Sequence, residues 1–248
     1  MKTRRAAGTA RAGLWVAVVL SFATCPAYGE RVILEPVQDT TLFESLEGSL
    51  SNGSGPGLFA GDNSERNTRR ALLSFAIAAA IPAGAHIDAV ELRLFLSNSP
   101  DTTVATTFAF FRVLSSWGEG ASVSAGGMGA PSQPGDATWV HRFYPDTRWQ
   151  NPGGDFDGTA SVAFGVRLPG SYALSNSRLV DDVQTWLELP ARDHGWLLQG
   201  EEAVAGSARR FDSREHPDPS RRPMLVVDFT PLAVAPVTWG QVKSSFKD

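Results

Sequence analysis

Ile87-Asp88-Ala89-Val90-Glu91-Leu92-Arg93-Leu94-Phe95-Leu96 is the stretch that decides the fold class. Val90, Leu92, Leu94 and Leu96 alternate with Glu91, Arg93 and Phe95, the period of two that turns one face of a strand to a core and the other to water. The same alternation runs through Leu73, Phe75 and Ile77, and through Val162, Phe164, Val166 and Leu168. Residues 106–114 carry aromatics on both parities, as a strand covered on both faces does. Trp196-Leu197-Leu198 and Leu225-Val226-Val227 with Phe229 extend the set, and Gly, Pro, Asn and Asp separate its members. Helical spacing appears at Leu179, Val180, Val183, Trp186 and Leu187, a helix over residues 178–189 ended by Pro190. The expected fold is therefore all-β: a single antiparallel β-sandwich, jelly-roll-like, with a short helix at one edge and a helical tail at the carboxyl end.

Composition agrees with this. The 248 residues include 24 glycines and 16 prolines, with 10% aromatic and 19% charged residues and a net charge of −4, which suits a turn-rich β protein. A basic stretch ending at Arg11, an apolar run over residues 14–20, Phe22-Ala23 and the small-residue pattern Ala27-Tyr28-Gly29 read as a secretory signal peptide over residues 1–29, cleaved after about Gly29. The apolar run is far shorter than the ~20 residues that cross a bilayer, so no membrane span is expected. The chain is expected to be secreted, extracellular or at the cell surface. Cys25, the single cysteine, precedes the cleavage point, and Phe22 and Thr24 suit a lipoprotein cysteine poorly. Without it, disulfides, thiol catalysis and thiolate-bound zinc are excluded.

The remaining residues hold 18 basic and 26 acidic side chains, a net of −8. Such a balance argues against nucleic acid and anionic membrane surfaces as partners, since both require a positive field. Only two of those bases are lysines, Lys243 and Lys247. They fall beyond the domain at 30–230, in a segment 231–248 that reads as a linker and a short amphipathic helix, with Trp239, Val242 and Phe246 on one stripe. That tail would dock on its own domain or on a partner.

Two Gly/Ser-rich stretches, 115–137 and 145–160, are long enough to carry a site. Trp117, Trp139 and Trp149 lie in or beside them, with His141, Arg142, Tyr144 and Arg148. Flat aromatic faces receive sugar C–H groups, and Arg142 and Arg148 suit a uronate carboxylate. Trp117 and Trp139 read better as core plugs at the sandwich ends. Gly153-Gly154-Asp155-Phe156-Asp157-Gly158 alternates acids and glycine as a Ca²⁺ loop does, through Asp155 and Asp157, or as an ordinary solvated turn does. Asp181-Asp182 and Glu201-Glu202 are adjacent pairs whose carboxyls diverge, so neither is a glycosidase pair. His141, Tyr144 and Arg142 match a lyase by residue type alone.

Several words in the chain form an ordered set. Asp39-Thr40-Thr41-Leu42, Asn52-Gly53 before Gly57-Leu58, Arg70-Ala71-Leu72-Leu73-Ser74-Phe75 and Ile81-Pro82-Ala83-Gly84-Ala85 make up the first half. Trp117-Gly118-Glu119-Gly120, Thr138-Trp139, Val183 with Trp186, Gly195-Trp196-Leu197-Leu198, Phe211-Asp212-Ser213-Arg214-Glu215 and Arg222-Pro223-Met224-Leu225-Val226-Val227 make up the second. Together they resemble a DNRLRE domain, a secreted β-sandwich module also found in disaggregatase-related proteins, over roughly residues 32–230. The resemblance implies a jelly-roll-like module whose relatives include carbohydrate-binding modules for acidic polysaccharides such as alginate. An arginine removed from water needs a carboxylate, so Arg70 or Arg214 with Glu119, Glu202 or Glu215 is expected to form an internal latch. The leading expectation is a non-catalytic module that binds polysaccharide or another cell-surface polymer. The alternatives are a purely structural extracellular or surface-layer module and a small polysaccharide lyase or hydrolase.

Overall fold

The computed structural model describes residues 29–232 apart from 100–102, 104 and 125. The expected signal peptide up to residue 28, Cys25 and the expected carboxyl-terminal helix lie outside the described residues. The strands are β1 (Glu30–Leu34), β2 (Gln38–Phe43), β3 (Leu50–Ser51), β4 (Gly57–Asp62), β5 (Thr68–Ser74), β6 (His86–Asn98), β7 (Thr106–Arg112), β8 (Ala130–Pro131), β9 (His141–Phe143), β10 (Thr147–Arg148), β11 (Val162–Val166), β12 (Gly170–Leu174), β13 (Trp196–Gln199), β14 (Arg209–Asp212) and β15 (Met224–Thr230). Two α-helices, α1 (Ile77–Ala80) and α2 (Ser177–Glu188), and two short 3-10 turns, Pro190–Arg192 and Pro219–Arg221, complete the elements among the described residues. The fold is all-β and sandwich-like, and every strand pair is antiparallel.

One layer is built on β6, the long strand read first in the sequence. β15 and then β14 run along one of its edges and β12 along the other, with β1 outside β15. The second layer contains β2, β5, β13, β7 and β11. β4 belongs to both: residues 57–60 pair with β14, and Gly61 and Asp62 pair with β5. Gly61 turns this corner with φ of 101°, a left-handed conformation that side chains other than glycine resist. A Cβ there would also come within 3.0 Å of the Ala208 Cα.

Leu92, Leu94 and Leu96 of β6 face Phe108 and Phe110 of β7, Phe211, Trp196 and the apolar stripe of α2 in one core. Each large side chain so buried contributes about 1.5–3 kcal/mol. Ile87 is buried although it has the opposite parity to Val90. The cause is a bulge: Asp228 pairs with Ala89 but Phe229 pairs with Ile87, which leaves Asp88 as the extra residue and reverses the facing. The expected alternation through Leu73, Phe75 and Ile77 stops as a strand at Ser74. Ile77-Ala78-Ala79-Ala80 instead forms a helical turn, a choice that suits alanine, while all three apolar residues still reach the same core. α2 begins where Asn176 accepts from the Leu179 N–H at 2.9 Å and packs Trp186 edge-on against Trp196 at 4.5 Å.

The second layer is apolar on its outer side too. Leu42, Leu72, Val113 and Leu197 form a smaller core there, covered by Trp117, Ala137 and Trp149 and flanked by Phe111, Trp139 and Phe156. The two glycine-rich stretches are the cover of this second core.

Gly61→Ala is expected to lower stability by about 1–3 kcal/mol, read as a lower urea midpoint at unchanged slope. An unchanged midpoint would mean that the corner is not constrained.

Candidate functional site

Three of the residues expected to meet a ligand in the loops are instead interior. Trp117 and Trp149 are 4% and 5% exposed, and their indole N–H groups donate to the carbonyls of His194 and Thr138, both at 2.9 Å. His141 is buried, with Nδ1 3.2 Å from the Thr138 hydroxyl. These three are corrected to structural positions, because a sugar can stack only on an open ring. Trp139 is half-buried, with the Arg70 guanidinium 4.9 Å from its ring centre. Tyr144 lies edge-on to His141 at 5.2 Å.

Arg142 and Arg148 do not converge on one carboxylate. Arg148 pairs across from His141, whereas Arg142 is the next residue along β9, and neighbouring strand residues point to opposite faces. Arg142 donates to the carbonyl and hydroxyl of Ser116 at 2.9 and 3.0 Å. The Arg148 charge helps hold His141 below its ordinary pKa, after the larger effect of burial. Arg142 acts in the same way on His194, again after burial.

Asp155 and Asp157 serve separate partners. Asp155 closes a turn by accepting the N–H groups of Gln150 and Asn151 at 3.0 and 2.9 Å. Asp157 accepts from Arg112 at 2.9 Å and from the Thr159 N–H at 3.0 Å, and these bonds hold it below the ordinary carboxylate range.

The expected latch residues form two ion-pair clusters. Arg70 makes a fork with Glu202 at 2.7 and 2.8 Å and donates to the Gly153 carbonyl at 2.9 Å. It thereby ties β5 to the loop that carries Phe156, over which it also lies at 5.2 Å. Arg214 donates to both Glu119 oxygens at 2.9 Å and lies 3.0 Å from Glu215. Its backbone N–H donates to Asp39 at 2.7 Å, and the Asp39 N–H donates to Glu119 at 2.9 Å. Asp39, Glu119 and Glu215 have oxygens within 4.8 Å of one another, a spacing that would suit a metal. Here the Arg214 guanidinium supplies the positive charge among them.

Burial holds the Asp39 carboxyl well above its usual range, with Glu215 adding to the shift. Burial also raises Glu215, against the pull of Arg214. A raised pKa means that folding favours the protonated acid, so this contribution is present at low pH and is lost as pH rises through the folded-state value.

An open face lies elsewhere, on the outer side of β6, β12 and β15. Phe95, Ser171, Ala173 and Met224 line a groove of about 390 Å³, with Glu91, Arg93, Ser220 and Arg222 around it. The Arg221 guanidinium sits 4.2 Å from the Phe95 ring centre. Its Nε is 2.8 Å from Asp212, a fully buried carboxylate that also has Arg210 at 3.4 Å and His216 at 3.7 Å. Arg222 donates to the His216 carbonyl at 2.9 Å, and Arg93 donates to Glu91 at 2.5 Å. Four arginines thus gather at one end of the β6 layer. The sequence reading passed over this groove, although Phe95 was visible as an aromatic on the water-facing parity of β6.

No family model and no curated protein matches the chain.

Asp39→Asn keeps an acceptor for the Arg214 N–H and removes the buried charge. It is expected to raise Tm above wild type at neutral and alkaline pH, by about 2–4 °C for each kcal/mol relieved, with the gap closing in acid. A gap that widened in acid would contradict the raised pKa.

Proposed function

We propose that this protein is a secreted, non-catalytic β-sandwich module that binds a polysaccharide or another cell-surface polymer through the groove on β6, β12 and β15. The observation that supports the reading is the Phe95–Arg221 stack, whose ring lines that groove. A ring with a guanidinium laid over it is a flat plate of low polarity on its face and rich in N–H donors at its edge, which suits sugar C–H groups and hydroxyls or carboxylates together. Asp212 anchors Arg221 from beneath, so the guanidinium loses little freedom when a ligand arrives. Ser171 and Ala173 are small, which leaves room for a chain to lie against the strands.

Charge supports an acidic polymer as the ligand. A body of net −8 repels a polyanion, and a local group of arginines is the means to offset that field. Arg93 and Arg222 line the groove with Glu91, and Arg221 adjoins it over Phe95, facing Asp212. The resemblance to DNRLRE domains points to the same ligand class, and the amino-terminal pattern of residues 1–29 to export.

Affinity electrophoresis through gels that contain alginate, other acidic glycans or neutral glycans tests this reading. Retardation by at least one polymer is expected, with about tenfold weaker binding for Arg221→Ala or Phe95→Ala and no change for Arg148→Ala. Free migration on every polymer would favour a purely structural module.

A further inference from the structure

A second cavity lies away from the groove, between the end of β7, the last turns of α2 and residues 190–194. It has a volume of about 210 Å³ and is lined by Arg112, Val113, Leu114, Thr185, Trp186, Arg192 and His194. A water molecule occupies about 30 Å³ of liquid, so the space suits one small ring. Leu114 is 57% exposed at its edge and offers the main apolar surface, while Val113 and Trp186 are buried and form only the floor.

The charges around it are unequal. Arg112 is satisfied: Asp157 lies at 2.9 Å and Asp182 at 3.2 Å, and Asp182 also accepts from the Trp196 indole at 2.8 Å. Asp193 lies against the backbone N–H groups of Ile77 and Gly195. Arg192 is exposed and has no carboxylate partner among the described residues, and Arg142, whose field reaches His194, donates only to Ser116. Burial, with Arg142, holds His194 below its ordinary pKa. An anion placed there would meet uncompensated guanidinium and an imidazole able to donate.

We propose that this cavity binds a small monocarboxylate with a ring-sized apolar body, its carboxylate on Arg192 and His194 and its ring against Leu114, Val113 and Trp186. A single negative charge fits better than two, because Arg112 in the cavity wall is already matched by Asp157 and Asp182, which leaves Arg192 as the guanidinium without a carboxylate. Arg192 ends the short turn that begins at Pro190, and His194 follows two residues later, which brings both to the same rim of the cavity.

The test is a titration of the full protein with cyclohexanecarboxylate, followed by NMR at the His194 ring and the Leu114 methyls. Cyclohexylmethanol and inorganic phosphate serve as comparators. Saturable shifts at both residues are expected with the carboxylate, with an affinity at least about tenfold weaker for the alcohol and for Arg192→Ala. Phosphate is expected to bind more weakly than the carboxylate. Equal affinity for the alcohol, tighter binding of phosphate, no saturable shift, or an unaffected Arg192→Ala protein would each overturn the proposal. Arg221→Ala is expected to leave this titration unchanged, so a failure of the groove as a polymer site and a failure of this cavity are read separately.

Discussion

The structure depends on one constraint: β5 and β13 are apolar on both faces. Leu73, Trp196 and Leu198 turn toward the main core, while Leu72 and Leu197 turn the other way. An outer face of this kind cannot be left to water, since every exposed large side chain forfeits its transfer free energy. The long excursion after β7 must therefore fold back over it. Trp117 and Trp149 are the plugs of that cover, and their indole N–H groups are consumed by backbone carbonyls beneath it.

The position of each charge cluster follows from this. A glycine-rich cover has little regular structure of its own, so it is fastened by ion pairs to the strands it lies on. Arg70 reaches from β5 to Glu202 and to the Gly153 carbonyl, and Arg214 joins Glu119 of the cover to Asp39 of β2 through one guanidinium and one backbone N–H. The geometry is favourable because each guanidinium is forked or doubly bonded, which offsets the cost of taking it from water. Burial, added to by the excess of carboxylate around Arg214, is what raises Asp39 and Glu215. The layer built on β6 has no such cover on its outer side, where Arg93 is exposed and Phe95, Arg221 and Arg222 are half-buried.

The loops were a reasonable place to look for a site, since long Gly/Ser-rich stretches with aromatics commonly carry one. They misled because aromatic residues in a loop look the same in sequence whether they face water or an adjacent sheet. The decisive signal was in the partner strand: apolar residues at 72 and 197, in the wrong parity for a half-exposed strand, call for a cover. Phe95 carried the opposite signal, an aromatic in the water-facing parity. Arg221 and Arg222 gained meaning only when residues 213–223 were folded against it.

The amino-acid sequence by itself determined the β class, the main strands, the helix before Pro190 and the charge partners open to Arg70 and Arg214. These are local or chemical facts: a period of two, a helix-breaking ring, and the need of a buried cation for an anion. Only the tertiary structure decided that Asp88 is a bulge, that Ile77 leaves its strand, that Arg142 and Arg148 diverge, and that the open arginine-rich face lies on β6 and not in the loops. Those outcomes depend on which residues distant in the chain come to share a surface, and periodicity within one segment carries no information about what packs against it.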